Sequence, residues 1–285
     1  MSVPLGGFSY HRPATVEEAI RLRAETRGAR FMAGGTDLLV QMKDGVLRPP
    51  ALVSLRGIPE LRGVEVGEVV RIGALTPLTD LLEHPGLRGA APALVQALET
   101  MGSPQIRSTA SLGGNLCNAS PAADAAPPLL VHGGRVCVAG PGGERQVPLE
   151  ELLTGPGETS LAPGELVTAI LLDPLAAGAR STFLKKVRVH VDIAVASVAV
   201  LLERDRASGR CTLARVAAGA VAPTPIRLAA VEAALEGSDL GTLAVTRAQR
   251  AASAAVQPIS DLRAGADYRR HLVGVFVRRA VEALR

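Results

Sequence analysis

Residues 31–38 read Phe-Met-Ala-Gly-Gly-Thr-Asp-Leu: an apolar entry, two adjacent glycines, two small oxygen-bearing residues and an apolar exit. The pattern is that of a strand stopping on a loop that leads into a helix. Gly34 and Gly35 carry no Cβ, so consecutive backbone N–H groups can turn toward an anion. The Thr36 hydroxyl can donate to a phosphate oxygen. The Asp37 carboxylate would repel one, and its expected place is capping the following helix or bracing the loop. The stretch has neither the lysine of a P-loop nor the spaced glycines of a dinucleotide turn. Taken alone, it reads either as an anion loop or as a tight strand-to-helix turn.

A second glycine pair stands at 111–115, Ser-Leu-Gly-Gly-Asn, flanked again by a small hydroxyl and an amide. Two such loops suggest two surfaces closing on a diphosphate. Asn118, Ser120 and Asp124 follow with hydrogen-bonding groups suited to sugar or ribityl hydroxyls, although the same residue types also build turns. The whole of 102–128 holds few periodic apolar residues, and a loop of that length is expected to wrap a ligand.

Outward from these loops, Thr15 and Glu18 form a capping-box pattern opening a helix through about Arg23. ARFMAG, ALVSL, GVEV and VVRIGA read as strands, LLVQMK as a short helix, and Thr76-Pro77 as the N-cap and first residue of another. Residues 91–101 form an apolar helix and 165–172 a strand. From about 178 the order changes to STFLKKV, DIAVASVAVLLER and TLARVAAGAV, three strands with a hairpin signal at Ala207-Ser208-Gly209. Helical segments near 226–236, 241–256 and 266–284 follow. Strands and then helices indicate an α+β unit, with a boundary near 175–180.

The 285-residue chain is 47% hydrophobic and 20% charged, enough for a sizeable core, but only 2% aromatic with no Trp, so few rings can stack on a base or flavin. Its net charge of +4 is scattered rather than gathered in a stripe, which argues against nucleic acid. The cysteines at 117, 137 and 211 have no metal spacing and read as free thiols of a reducing, cytoplasmic compartment. The N-terminal MSVPLGGFSY lacks a leader pattern, and the longest apolar run, 193–202, is too short for a membrane span. The histidines at 11, 84, 132, 190 and 271 show no ligand spacing, no carboxylate pair is arranged for acid–base work, and no metal site is expected.

AGGTDLL at 33–39 with PQIRSTASLGGNLCNASPAADAAPP at 104–128 resembles the FAD-binding medium subunits of the molybdenum hydroxylases, the xanthine, carbon monoxide and nicotinate dehydrogenases among them. FSYHRPATVEEA, FLKKVRVHVDIAVASVAV, GAVAPTPIRLAAVEAAL and ISDLRAGADYRRHLVGVFVRRAV extend the resemblance along the chain. It implies an N-terminal FAD-binding domain over 1–177, in two α/β subdomains of about 1–57 and 58–177. A smaller α+β domain over 178–285, with a three-stranded antiparallel sheet and helices, would follow. The implied cofactor contacts are Phe31, Met32, Ala33, Gly34, Gly35, Thr36, Asp37 and Leu38 in the first loop and Ser111, Leu112, Gly113, Gly114 and Asn115 in the second. Met101 and Gly102, Asp124, and Leu166 and Val167 complete them with Lys185, for which Lys186 is the alternative. Met101 stands where some members carry an aromatic.

The implied function is electron transfer. FAD here would receive electrons from the [2Fe-2S] clusters of a small subunit, downstream of a molybdopterin-binding large subunit, and pass them to NAD or another external acceptor. The chain itself has no cysteine set for a cluster and no molybdopterin region. The alternatives are a scaffold that has lost its flavin and a free-standing FAD oxidoreductase. The second of these lacks acid–base residues of its own.

Overall fold

The computed structural model describes residues 6–189 and 191–285; Met1–Leu5, read above for a leader, and His190 lie outside the described residues. Three larger sheets organise the described residues, beside a two-stranded pair of Leu153–Gly155 and Glu158–Thr159. The first is parallel: Ala51–Ser54 lies between Ser9–His11 and Arg30–Met32. Parallel neighbours need crossovers, and the helices Val16–Glu25 and Leu38–Lys43 supply them. The Thr15 hydroxyl accepts from Glu18 N–H at 3.2 Å, as a cap should, but the Glu18 carboxylate reaches back to Ala14 N–H rather than to Thr15. The helix continues two residues past the expected Arg23.

The second sheet is antiparallel, in the order Val64–Val66, Val70–Gly73, Leu166–Leu172, Arg135–Gly140, Gly143–Pro148. Helices including Pro92–Glu99 and Ala126–Val131 pack with it into the largest core, which contains Leu94, Leu98, Leu129 and Ile170. Two expectations change here. Residues 102–128 are not structureless: Pro104–Arg107 and Leu112–Cys117 are short helices, each begun by a serine whose side chain accepts a backbone N–H. Thr76 does not cap the next helix, which begins at Leu78. Its buried hydroxyl instead accepts from Gly63 N–H and lies 3.0 and 2.8 Å from the carbonyls of Gly63 and Gly73, so it staples a turn from a distant part of the chain.

The third sheet has four antiparallel strands where three were expected: Arg180–Lys186, Ala196–Arg204, Cys211–Gly219 and the short Ile226–Arg227. The last occupies the start of a segment that reads as helical from its apolar spacing; the helix itself begins at Ala229. Alternation along the central strand buries both faces. Val198, Val200 and Leu202 pack on the helices Ala229–Leu235, Thr242–Ala255 and Ala266–Leu284. Ala199 and Leu201, with Phe183 and Ala217, join the core of the preceding sheet and helices.

Polar bonds fix this junction. The strand Arg180–Lys186 is an edge of its sheet, and Gln96 Oε1 covers it by accepting Phe183 N–H at 2.8 Å. Ala93 N–H donates to Ser181 Oγ, which lies 3.1 Å from His132 Nε2, while His132 Nδ1 faces the Asp173 carbonyl at 3.2 Å. An Nδ1–H satisfies that carbonyl, and in the neutral ring that burial favours Nε2 accepts from the serine hydroxyl. Further along the same strand, Lys185 Nζ meets Asp124 Oδ2 at 2.6 Å, with 6% and 10% of their side chains exposed. The other oxygen, Asp124 Oδ1, is buried without a partner among the described residues. Burial pushes the Asp124 carboxyl up, and Lys185 offsets this only in part.

Two outcomes follow from the junction. Burial holds the His132 pKa below its ordinary 6.5, so the unfolded chain binds the proton more readily. Stability contributed by the neutral ring is therefore complete above about pH 6.5 and lost as pH falls through the window below it. Denaturant midpoints should drop between pH 7.5 and 5.5, and His132→Gln should start lower but vary less with pH. Separately, Lys185→Met strands a buried carboxylate and should cost roughly 3–5 kcal/mol, most of it recovered by adding Asp124→Leu. The exposed Lys186→Met should stay within about 0.5 kcal/mol of wild type in the same unfolding measurement.

Candidate functional site

The first loop leaves the parallel sheet at Met32 and enters its helix at Leu38. Gly35 has φ +78°, a conformation that a side chain would strain. The N–H groups of Gly34, Gly35, Thr36, Asp37 and Leu38 donate to no other protein group among the described residues. Five consecutive unclaimed donors at the end of a strand are the kind of arrangement that can receive an anion. Asp37 is the N-cap by position, but its side chain makes no capping bond, which corrects its expected role as a brace. Partial burial pushes its carboxyl up.

The second loop differs. Gly113 N–H donates to Ala74 O, Gly114 N–H to Ser111 Oγ and Asn115 N–H to Ser111 O. Its donors are largely spent on its own fold, so it acts as a wall facing the first loop. Glycine makes the wall possible. A Cβ on Gly34 would stand 2.1 Å from Thr109 O, and one on Gly113 would stand 2.7 Å from both the Cβ and the carbonyl oxygen of Ala74. In each pair, then, one glycine serves backbone-to-backbone approach between distant segments rather than clearance for a ligand. The Asn115 amide oxygen is buried without a partner among the described residues.

The two loops enclose a cavity of about 690 Å³, well inside the roughly 300–1,000 Å³ of small-molecule sites. Its wall includes Phe31, Ala33 through Leu38, Met101, Gly102, Ser111, Gly113, Gly114, Asn115, Leu166 and Val167, all expected from the sequence. Four expected residues stand elsewhere. Met32 alternates to the opposite side of its strand from Phe31 and belongs to a small core with Met42 and Leu52. Leu112 is fully buried in the largest core. Asp124 and Lys185 are bonded to each other and do not line the cavity.

The structure adds residues that sequence reasoning passed over. Arg23 and Arg30 bring positive charge to the cavity, and Gln41 Nε2 reaches Asn118 Oδ1 across it at 3.5 Å. The segment 157–165 contributes one rim. Its Glu165 is clasped by Arg145 at 2.8 and 2.7 Å, and that bond holds its carboxyl below the usual range. The Gly157 and Gly164 punctuation just ahead of Leu166 was the available signal for this rim. Unclaimed donors, two arginines, an orphan amide acceptor and an apolar stretch through Leu78, Met101, Ile106 and Val167 suit a ligand with an anionic middle and a flat apolar end. Among the described residues no helix is long and apolar enough to cross a membrane, and no group of three metal-ligating side chains occurs.

Comparison with known proteins gives this chemistry a family. The FAD binding domain in molybdopterin dehydrogenase matches residues 6–174, and the CO dehydrogenase flavoprotein C-terminal domain matches residues 181–284. The chain is 33% identical to the xanthine dehydrogenase FAD-binding subunit of Escherichia coli O157:H7 over 277 residues, 96% of this chain and 94% of that one. It is likewise 33% identical to the carbon monoxide dehydrogenase medium chain of Hydrogenophaga pseudoflava, covering 97% and 96% of the two chains. A carbon monoxide dehydrogenase structure from that organism superposes with a TM-score of 0.95 at 34% identity, covering 99% of this chain and 98% of that one. The two glycine loops and the cavity between them thus belong to an oxidoreductase subunit with FAD as its cofactor, and the chain is a member of the FAD-binding medium-subunit family of the molybdenum hydroxylases.

Proposed function

We propose that this chain is the electron-transfer subunit of a molybdenum hydroxylase, working in the cytoplasm with a molybdopterin-binding large subunit and a small subunit that carries [2Fe-2S] clusters. The observation that carries the reading is the row of five unclaimed N–H groups opening into a cavity of flavin-nucleotide size. Bound FAD supplies the redox chemistry, accepting electrons from the clusters and releasing them to NAD⁺ or another external acceptor.

The chain's own residues hold and shield the cofactor. Gly34 through Leu38 direct their N–H groups at the diphosphate, with the Thr36 hydroxyl as a further donor and Arg23 and Arg30 as flanking charge. The amide oxygen of Asn115 accepts from a cofactor hydroxyl or N–H, which satisfies an otherwise orphaned buried acceptor. Phe31, Met101, Leu166 and Val167 keep water from the apolar end of the cavity. Lys185 is tied to Asp124, so its contribution is to set the strand Arg180–Lys186 against the loop that follows Asn118.

Native protein should purify yellow, release FAD on denaturation in a one-to-one ratio, and run on gel filtration with chains containing molybdenum and iron. Colourless protein that refuses added FAD, or a flavoprotein that runs alone from native cells, would contradict this. Gly34→Ala drives a Cβ into Thr109 O and must part the loops. Such overpacking should cost about 1–3 kcal/mol in unfolding and remove most of the FAD from purified protein. Gly142→Ala, with nothing near its added Cβ, should keep full flavin content.

A further inference from the structure

Behind the contact between the two loops lies a second, smaller cavity of about 80 Å³. Arg56 and Arg62 line it together with Ser108, Thr109 and Ser111, and no acidic side chain does. Neither guanidinium pairs with a carboxylate among the described residues; Arg62 Nη2 donates at 3.2 Å to the backbone carbonyl of Arg56. Cations that line a pocket without a carboxylate partner are suited to receive an anion.

The hydroxyls add direction. Ser108 Oγ is committed to Gln105 O at 2.9 Å, but the Thr109 hydroxyl donates to no protein group among the described residues. Ser111 Oγ accepts from Gly114 N–H, which leaves its own O–H free to donate. Two forked cations and two residues with a hydroxyl free to donate thus line one small pocket that has no acidic side chain in its wall. A water molecule takes about 30 Å³ of liquid, so the space matches a few waters, enough for a tetrahedral oxyanion and too small for a nucleotide.

We propose that this pocket binds one small tetrahedral oxyanion, inorganic phosphate or sulfate, separately from FAD. Ala33, Gly34, Leu75 and Ser111 line both this pocket and the large cavity, so they are the partition between the two. The anion braces the loop contact from its outer side, with Arg56 and Arg62 as its principal partners.

The test is calorimetric titration of FAD-loaded protein with inorganic phosphate in a phosphate-free and sulfate-free buffer, using wild type and an Arg56→Gln/Arg62→Gln variant. Both arginines are exposed, so the variant should fold, which its thermal transition checks. The expected result is saturable one-site binding, competed by sulfate and weakened at least tenfold in the variant, whose FAD content stays unchanged. No saturable binding at millimolar phosphate would overturn the proposal, as would equal binding by the variant. Binding confined to FAD-free protein would overturn it too, because the anion would then occupy the diphosphate's own place.

Discussion

The approach of two backbones at Gly34 is the constraint on which the site depends. Thr109 O lies where a side chain on residue 34 would be, so the first loop can lie against the second only because position 34 has no Cβ. Gly113 repeats the device against Ala74, fastening the second loop to the end of the strand Val70–Gly73. With those contacts made, the remaining members of the pairs are left to shape the cavity. Gly35 takes the positive φ that turns the first loop, and Gly114 sits at the junction with Ala33. The pairs thus divide the work between assembling the clamp and forming it, which explains why each loop needs two glycines and not one.

The clamp is asymmetric in its hydrogen bonding. The second loop satisfies its own N–H groups through Ser111 and Ala74, and so holds its shape without a ligand. The first loop leaves its N–H groups to the cavity. Donors left free in this way are available to whatever the cavity binds. Rigidity comes from further away. The third sheet is apolar on both faces, and the chain of bonds from Ala93 through Ser181 and His132 to Asp173 ties it to the helices beneath the second loop.

Local chemistry was legible in the sequence where it stayed local. The glycine pairs, the Thr15 cap, the hairpin at 207–209 and the long strands of the third sheet all follow from neighbouring residues, and the family resemblance rested on such stretches. What could not be read depended on contacts between distant positions. Thr76 looks like a cap until Gly63 and Gly73 fold against its hydroxyl. Ile226–Arg227 carries helical spacing but is drawn into the sheet by the strand Cys211–Gly219. Asp124 and Lys185 each match positions implied to touch the flavin, yet 61 residues of separation hid the fact that they bond each other. Nothing near Gly34 in sequence names Thr109 as the neighbour that requires it.

Amide hydrogen exchange with and without FAD tests the account most directly, because it reads the two loops separately. The N–H groups of Gly34 through Leu38 have no protein acceptor among the described residues, so they should exchange fast in FAD-free protein and become strongly protected when FAD is added. Those of Gly113, Gly114 and Asn115 should be slow in both states. Unchanged exchange at 34–38 on saturation with FAD, or protection appearing only at 113–115, would contradict the claim that the first loop holds the cofactor while the second serves as its wall.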